Sequence, residues 1–169
     1  MKLTCITPAT GTPVTLEETK SFCRALTNDD DLIFEMLINA ATDFAQNVTG
    51  RQLCTATYEI VVGGEQSPLR LPKAPLKAIT SVMCNGIDLD YSLHYDIDVA
   101  FIEFVASDDV TIEYTCGYDV VPYALKAWLL NKVSTLYENR EQIIVGQSIA
   151  DMPSSVIDCV LDQFKVRYL

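Results

Sequence analysis

Hydrophobic and polar positions follow two periods along this chain, and the switch between them divides it into three stretches. In the first, Ile33, Met36, Leu37, Ala40, Ala41, Phe44, Ala45 and Val48 recur at helical spacing until Gly50, whose missing Cβ suits the backbone that closes a helix. Asn28-Asp29-Asp30-Asp31 supplies the start signal by placing acid at the positive end of the helix dipole. The alanines at 40, 41 and 45 leave room for a second helix to approach closely. Upstream, Pro13-Val14 leads into Thr15-Leu16-Glu17-Glu18, a capping box in which the Thr hydroxyl bonds the Glu18 amide while that Glu reaches back. This predicts a short helix to Leu26, with Leu16, Phe22, Cys23 and Leu26 as its apolar positions.

From Arg51 to Cys116 the pattern alternates, most clearly in Tyr58-Glu59-Ile60-Val61-Val62 and Val110-Thr111-Ile112-Glu113-Tyr114. Asn85-Gly86, between Val82-Met83-Cys84 and Ile87-Asp88-Leu89, suits a two-residue type I′ hairpin because both turn positions need positive φ. Ala100 to Val105 adds another strand. Five or six short strands with Pro72 and Pro75 at their edges, and no helix for crossovers, predict an antiparallel meander or small barrel. The helical period then returns. Val121-Pro122 opens a third helix carrying Leu125, Trp128, Leu129, Val133, Leu136 and Tyr137 and ending near Arg140. Ile143-Ile144-Val145-Gly146 reads as an apolar loop, and Asp151-Met152-Pro153-Ser154 as the cap of a fourth helix with Val156, Ile157, Val160, Leu161 and Phe164. The expectation is an α+β fold in one domain over 1–169: a small four-helix core from 13–50 and 118–169, with an antiparallel β lobe, 51–117, inserted between the second and third helices.

Composition narrows the function classes. With 169 residues and 49% apolar content the chain can bury one core plus an inserted lobe. A formal charge of −11 disfavours the phosphate backbone as a binding partner, since its basic residues are few and scattered. No secretory signal follows Met1-Lys2-Leu3, and no apolar run reaches the ~18 residues of a membrane span. Six cysteines with no C-x-x-C pair argue against zinc and read as small buried hydrophobes.

Candidate chemistry is sparse. The sole histidine, His94, has no G-x-S-x-G elbow or other nucleophile motif beside it and reads as an ordinary surface or half-buried residue. Gly63-Gly64 lacks the Lys-Ser/Thr of a phosphate loop and reads as a turn. Asp96-Ile97-Asp98 would put two carboxylates on one face of a strand, but without a third ligand it reads as a solvated edge; Asp108-Asp109 reads as a hairpin tip. No catalytic, cofactor or metal residue emerges. The apolar residues point elsewhere: Tyr118, Tyr123, Trp128 and Tyr137 gather around one helix, Ile143-Ile144-Val145 sits in a loop, and Tyr168-Leu169 ends the sequence. Taken together they exceed what a four-helix core obviously needs, which suggests self-association or partner docking.

Several segments, in order, resemble the phage gp6-like head–tail connector (adaptor) family in its longer form with a β insertion. They are Pro13 to Lys20, Asp30-Asp31-Leu32-Ile33 with Ala40-Ala41, Val48-Thr49-Gly50-Arg51-Gln52-Leu53, and Leu71-Pro72-Lys73-Ala74-Pro75-Leu76 before Ile79-Thr80-Ser81-Val82. Cys116-Gly117-Tyr118 to Val121-Pro122 and Leu136-Tyr137-Glu138-Asn139-Arg140-Glu141 complete the series. The cysteine number and the acidic, short leader depart from the pattern. The resemblance implies a non-enzymatic structural protein of the virion neck, assembled in the bacterial host cytoplasm. It implies a dodecameric ring of copies of itself below the portal protein, continuing the DNA channel towards a stopper or tail-completion protein. It implies no cofactor and no membrane, with DNA passing through the lumen without specific binding; the acidity of the chain adds the expectation that carboxylates face the lumen and repel the duplex. Candidate subunit and portal contacts are Trp128, Tyr137, Glu138, Arg140, Phe164, Arg167, Tyr168 and Leu169, with Val156 to Leu169 expected at the portal. Arg140 is the expected interface ion-pair residue, the alternative being an intrachain bond that fixes the following loop. The competing readings are another neck or tail-completion protein and a small virion-associated carboxylate hydrolase.

Overall fold

A computed structural model describes residues 1–96, 99–139 and 158–166. The element order is β1 (Lys2–Thr7), α1 (Leu16–Cys23), α2 (Asp31–Thr49), β2 (Ala56–Val62), a 3₁₀ turn (Gly64–Gln66), β3 (Leu69–Arg70), β4 (Leu76–Cys84), β5 (Ile87–Asp88), β6 (Tyr91–Asp96), β7 (Val99–Phe104), β8 (Val110–Cys116), α3 (Tyr123–Glu138) and α4 (Asp158–Phe164). The fold is α+β, with four α-helices and antiparallel sheets among the described residues, as the two periods predicted. It divides into a sheet unit (1–11, 50–120, 166–169) and a helical unit (12–49, 121–165).

In the helical unit the predicted capping box is present. Glu18 N–H donates to Thr15 Oγ1 at 3.0 Å, and Thr15 N–H donates to Glu18 Oε2 at 2.8 Å. Helix α1 stops earlier than expected, at Cys23, because Arg24 turns left-handed (φ 55°) and leaves Leu26 in solvent. Its buried residue is Thr19, whose hydroxyl donates to the Thr15 carbonyl at 2.8 Å. Helix α2 ends at Thr49, with Gly50 left-handed (φ 71°) as its stop. Its core face is rotated from the expected one. Phe34, Ile38, Ala41, Ala45 and Thr49 are buried, whereas Met36 and Phe44 are exposed, so apolar spacing found the helix but not which side the other helices cover. Helix α3 contributes Leu125, Trp128, Leu129 and Val133, and α4 contributes Leu161. The expected cap of that last helix, 151–154, lies outside the described residues.

The sheet unit holds two sheets, β1-β2-β8-β4-β5 and β3-β7-β6, with every strand pair antiparallel. Among the described residues seven short strands lie between Arg51 and Cys116, where five or six were expected, and β1, outside that stretch, was not foreseen: Lys2 to Thr7 lacks clean alternation, and only pairing with β2 orders it as a strand. Strand β8 alternates strictly, burying Val110, Ile112, Tyr114 and Cys116, and pairs in full register with β2 from Ala56↔Cys116 to Val62↔Val110. These side chains meet Ile60, Val62, Leu69, Val82, Ile102 and Phe104 in one apolar core. The Asn85-Gly86 hairpin forms as predicted, with φ of 52° and 77° and Cys84 opposite Ile87. Gly63-Gly64 makes a turn rather than a phosphate cradle; a Cβ on Gly64 would stand 2.3 Å from the Ala106 carbonyl oxygen.

Candidate interaction surfaces

The sequence motifs that flank the lobe meet in the sheet unit. Arg51, only 5% exposed, follows the Gly50 stop and donates from Nη1 to the Tyr118 hydroxyl at 3.1 Å. Gln52 is equally buried; its N–H donates to the Ala74 carbonyl at 2.8 Å and its Oε1 accepts from the Tyr58 hydroxyl at 3.0 Å. Gly117 holds φ 121°, and a Cβ there would lie 2.6 Å from the Cys54 carbonyl oxygen. Tyr118 N–H in turn donates to the Leu53 carbonyl at 3.4 Å. Thr49-Gly50-Arg51-Gln52 and Cys116-Gly117-Tyr118 therefore form one hydrogen-bonded seam where the chain enters and leaves the lobe. Arg51 and Gln52 are residues that sequence reasoning did not single out by role, and Tyr118, read there as a docking aromatic, hydrogen-bonds to Arg51; a charge directly after a helix-stop glycine was the available signal.

The candidate contact residues separate into different environments. Trp128 is 1% exposed and stacks on Phe44 with centroids 5.9 Å apart, so it is core rather than surplus surface: α2 and α3 close over it. Tyr137 is half-buried, stacks on Phe34 at 4.3 Å and donates its hydroxyl to Asp30, which turns it towards its own subunit. Glu138 is exposed and accepts a long 3.4 Å bond from the Ser134 hydroxyl. Phe164 is half-buried on α4. Arg140, Arg167, Tyr168 and Leu169, with the 143–145 loop, lie outside the described residues.

The exposed apolar side chains lie mostly elsewhere. In the helical unit, Leu32 and Met36, four residues apart, lie on the side of α2 away from Phe34 and Ile38, while Phe44, stacked on Trp128, is part exposed at the margin of the covered face. Tyr123, at 84% exposure, opens α3. In the sheet unit Ile87, Tyr91, Tyr95 and Val105 are exposed, and Tyr91 and Val105 help line a groove of about 730 Å³ with Asp88, Asp90 and Glu103.

The Thr15 backbone N–H, with Lys126 3.1 Å away, holds the Glu18 carboxyl below its ordinary range. Burial pushes the Cys116 thiol up to about 12 and the Tyr58 phenol up to about 12. His94 is exposed, its Nε2 3.2 Å from Glu103 Oε2 across β6 and β7, the surface position its neighbours suggested. Among the described residues no group of three His, Cys, Asp or Glu side chains could hold a metal ion. The Asp96–Asp98 pair is described only at Asp96. The cysteines differ from the buried thiols expected: Cys116 alone is buried, while Cys5 and Cys159 are exposed.

The fold, a helical unit and a unit of two antiparallel sheets, has counterparts among solved structures. With a TM-score of 0.78 and 18% identity, covering 100% of this chain and 98% of that chain, it is similar to a chain in the neck of an empty GTA particle computed with C6 symmetry. A chain in the virion of a native gene transfer agent particle matches at TM-score 0.77 and 19% identity, covering 100% and 98%. One in the neck of a native GTA particle computed with C12 symmetry matches at 0.75 and 17%, with the same coverage. Residues 13–87 match the family model described as phage gp6-like head-tail connector protein. A comparison with curated proteins gives no match.

Proposed function

We propose that this chain is a structural, non-catalytic subunit of the neck of a tailed phage, prophage or phage-derived particle. Copies of it form a ring, dodecameric in the assembled neck, below the portal protein; the ring joins head to tail and continues the DNA channel towards a stopper or tail-completion protein. The observation that carries this reading is the similarity of fold over the whole chain to chains of GTA necks, alongside the family match over 13–87. The uncovered apolar residues of α2 and of the lobe fit a subunit that must bury surface against neighbours, since a ring requires a patch and its complement on every copy. The acidity suits a channel wall that duplex DNA slides past without adhering. Among the described residues no helix is long and apolar enough to cross a membrane.

The test is electron microscopy and native mass spectrometry of the full chain, alone and with its cognate portal protein. Closed rings, alone or on the portal, are the expected result. A chain that stays monomeric and does not bind the portal overturns the reading.

A further inference from the structure

Two long strand edges stand open on the sheet unit. Strand β1 ends the five-stranded sheet and β6 ends the three-stranded one, whereas the opposite ends, β5 and β3, are only two residues long each. Each of the long edges has six residues, nearly all exposed, and among the described residues neither has a backbone bond beyond its single neighbour, β2 or β7. Such an edge carries a row of unmet N–H and C=O groups ready to accept another strand.

The two edges complement each other in charge and in side-chain row. Strand β1 carries Lys2 and no acid; β6 is bracketed by Asp90 and Asp96 and carries no Lys or Arg. Leu3 and Leu93 each pack against the apolar core, which fixes the row on that face as Leu3 and Cys5 in β1 and as Leu93 and Tyr95 in β6. An antiparallel approach with Lys2 opposite Asp96 sets Leu3 beside Tyr95 and Cys5 beside Leu93, while Lys2 meets Asp96 and Thr4 meets His94 on the other face. A one-residue slip would bring Leu3 against Asp96, so the register is specified. The irregularity between Cys5 and Thr7 ends the regular segment after four residues.

We propose that β1 of one copy adds antiparallel to β6 of the next, so that the ring grows by head-to-tail strand addition. This rests on the ring reading above and names the surfaces that make it. Because patch and complement lie on different edges, the contact is heterologous and every copy offers one of each.

The test uses the full chain as wild type, Lys2→Glu, Asp96→Lys and the double variant, followed by sedimentation velocity across a concentration series and by amide exchange. Both side chains are exposed, so the variants fold, which circular dichroism checks. Each single reversal is expected to raise the concentration needed for assembly by at least about tenfold, and the double variant to restore it. Amides of residues 3–5 and 93–95 should exchange more slowly in rings than in monomers. Wild-type rings that neither single reversal weakens, or whose 3–5 and 93–95 amides exchange as in the monomer, overturn strand addition and leave the ring reading standing. A wild type that is monomeric at every concentration and does not bind the portal overturns both.

Discussion

Trp128 and Tyr123 sit five positions apart on one helix, yet one is 1% exposed and the other 84%. Residue type alone makes both plausible anchors; position on α3 separates them. Trp128→Ala should cost about 3–5 kcal/mol of stability in denaturant unfolding, whereas Tyr123→Ala should shift it by less than about 0.5 kcal/mol. Two ionisable residues give pH signatures of opposite sense. The lowered Glu18 carboxyl contributes stability that is present above its ordinary value of 4.5 and is lost as pH falls below that through the native pKa. Glu18→Gln should therefore flatten the acid limb of a stability–pH profile, while its amide oxygen still accepts the Thr15 N–H and keeps the capping box. Cys116 acts at the other end. Its native pKa is raised, so its contribution is intact below the ordinary value of 9.0 and is lost as pH rises from there towards about 12. Cys116→Ala should show a smaller alkaline loss than the wild type. At pH 7.5 a maleimide should label Cys5 and Cys159 in the native chain and spare Cys116.

At the scale of elements, the seam around Gly117 and the apolar character of α2 carry the most consequence. Gly117 combines a left-handed φ with a backbone carbonyl where a Cβ would go, so Gly117→Ala should lose about 1–3 kcal/mol. Gly11→Ala, with nothing within 4 Å, provides the control in the same unfolding measurement. Helix α2 is apolar over far more of its circumference than its own subunit covers. Phe34, Ile38, Ala41 and Ala45 face inward, while Leu32 and Met36 remain outside. A periodicity argument applied to such a helix locates its length and ends but cannot choose among its apolar sides. Strand β1 shows the converse: its sequence carries little β signal, and its order comes from the β2 register.

For the molecule as a whole, a net charge of −11 is a statement about encounters rather than about fold. The full chain should leave the mobility of duplex DNA unchanged in a gel-shift assay at physiological salt, where phosphate binding would need clustered cations. The sheet unit is drawn from three segments of the chain and the helical unit from two. Gly50 opens the longest segment of the sheet unit and Val120 closes it, and within that segment the Arg51–Tyr118 bond ties its two ends together.

The sequence by itself determined the period of each stretch, the capping box, the helix stop at Gly50 and the Asn85-Gly86 hairpin. Each of these is decided within a few residues by backbone sterics or a local hydrogen bond. Only the tertiary structure decided which face of α2 is covered, that Trp128 lies inside while Leu32 and Met36 lie outside, that Lys2–Thr7 is a strand, and that Arg51 meets Tyr118 across a separation of 67 residues. Burial and long-range pairing are properties of what arrives from elsewhere in the chain, and local pattern does not carry that information.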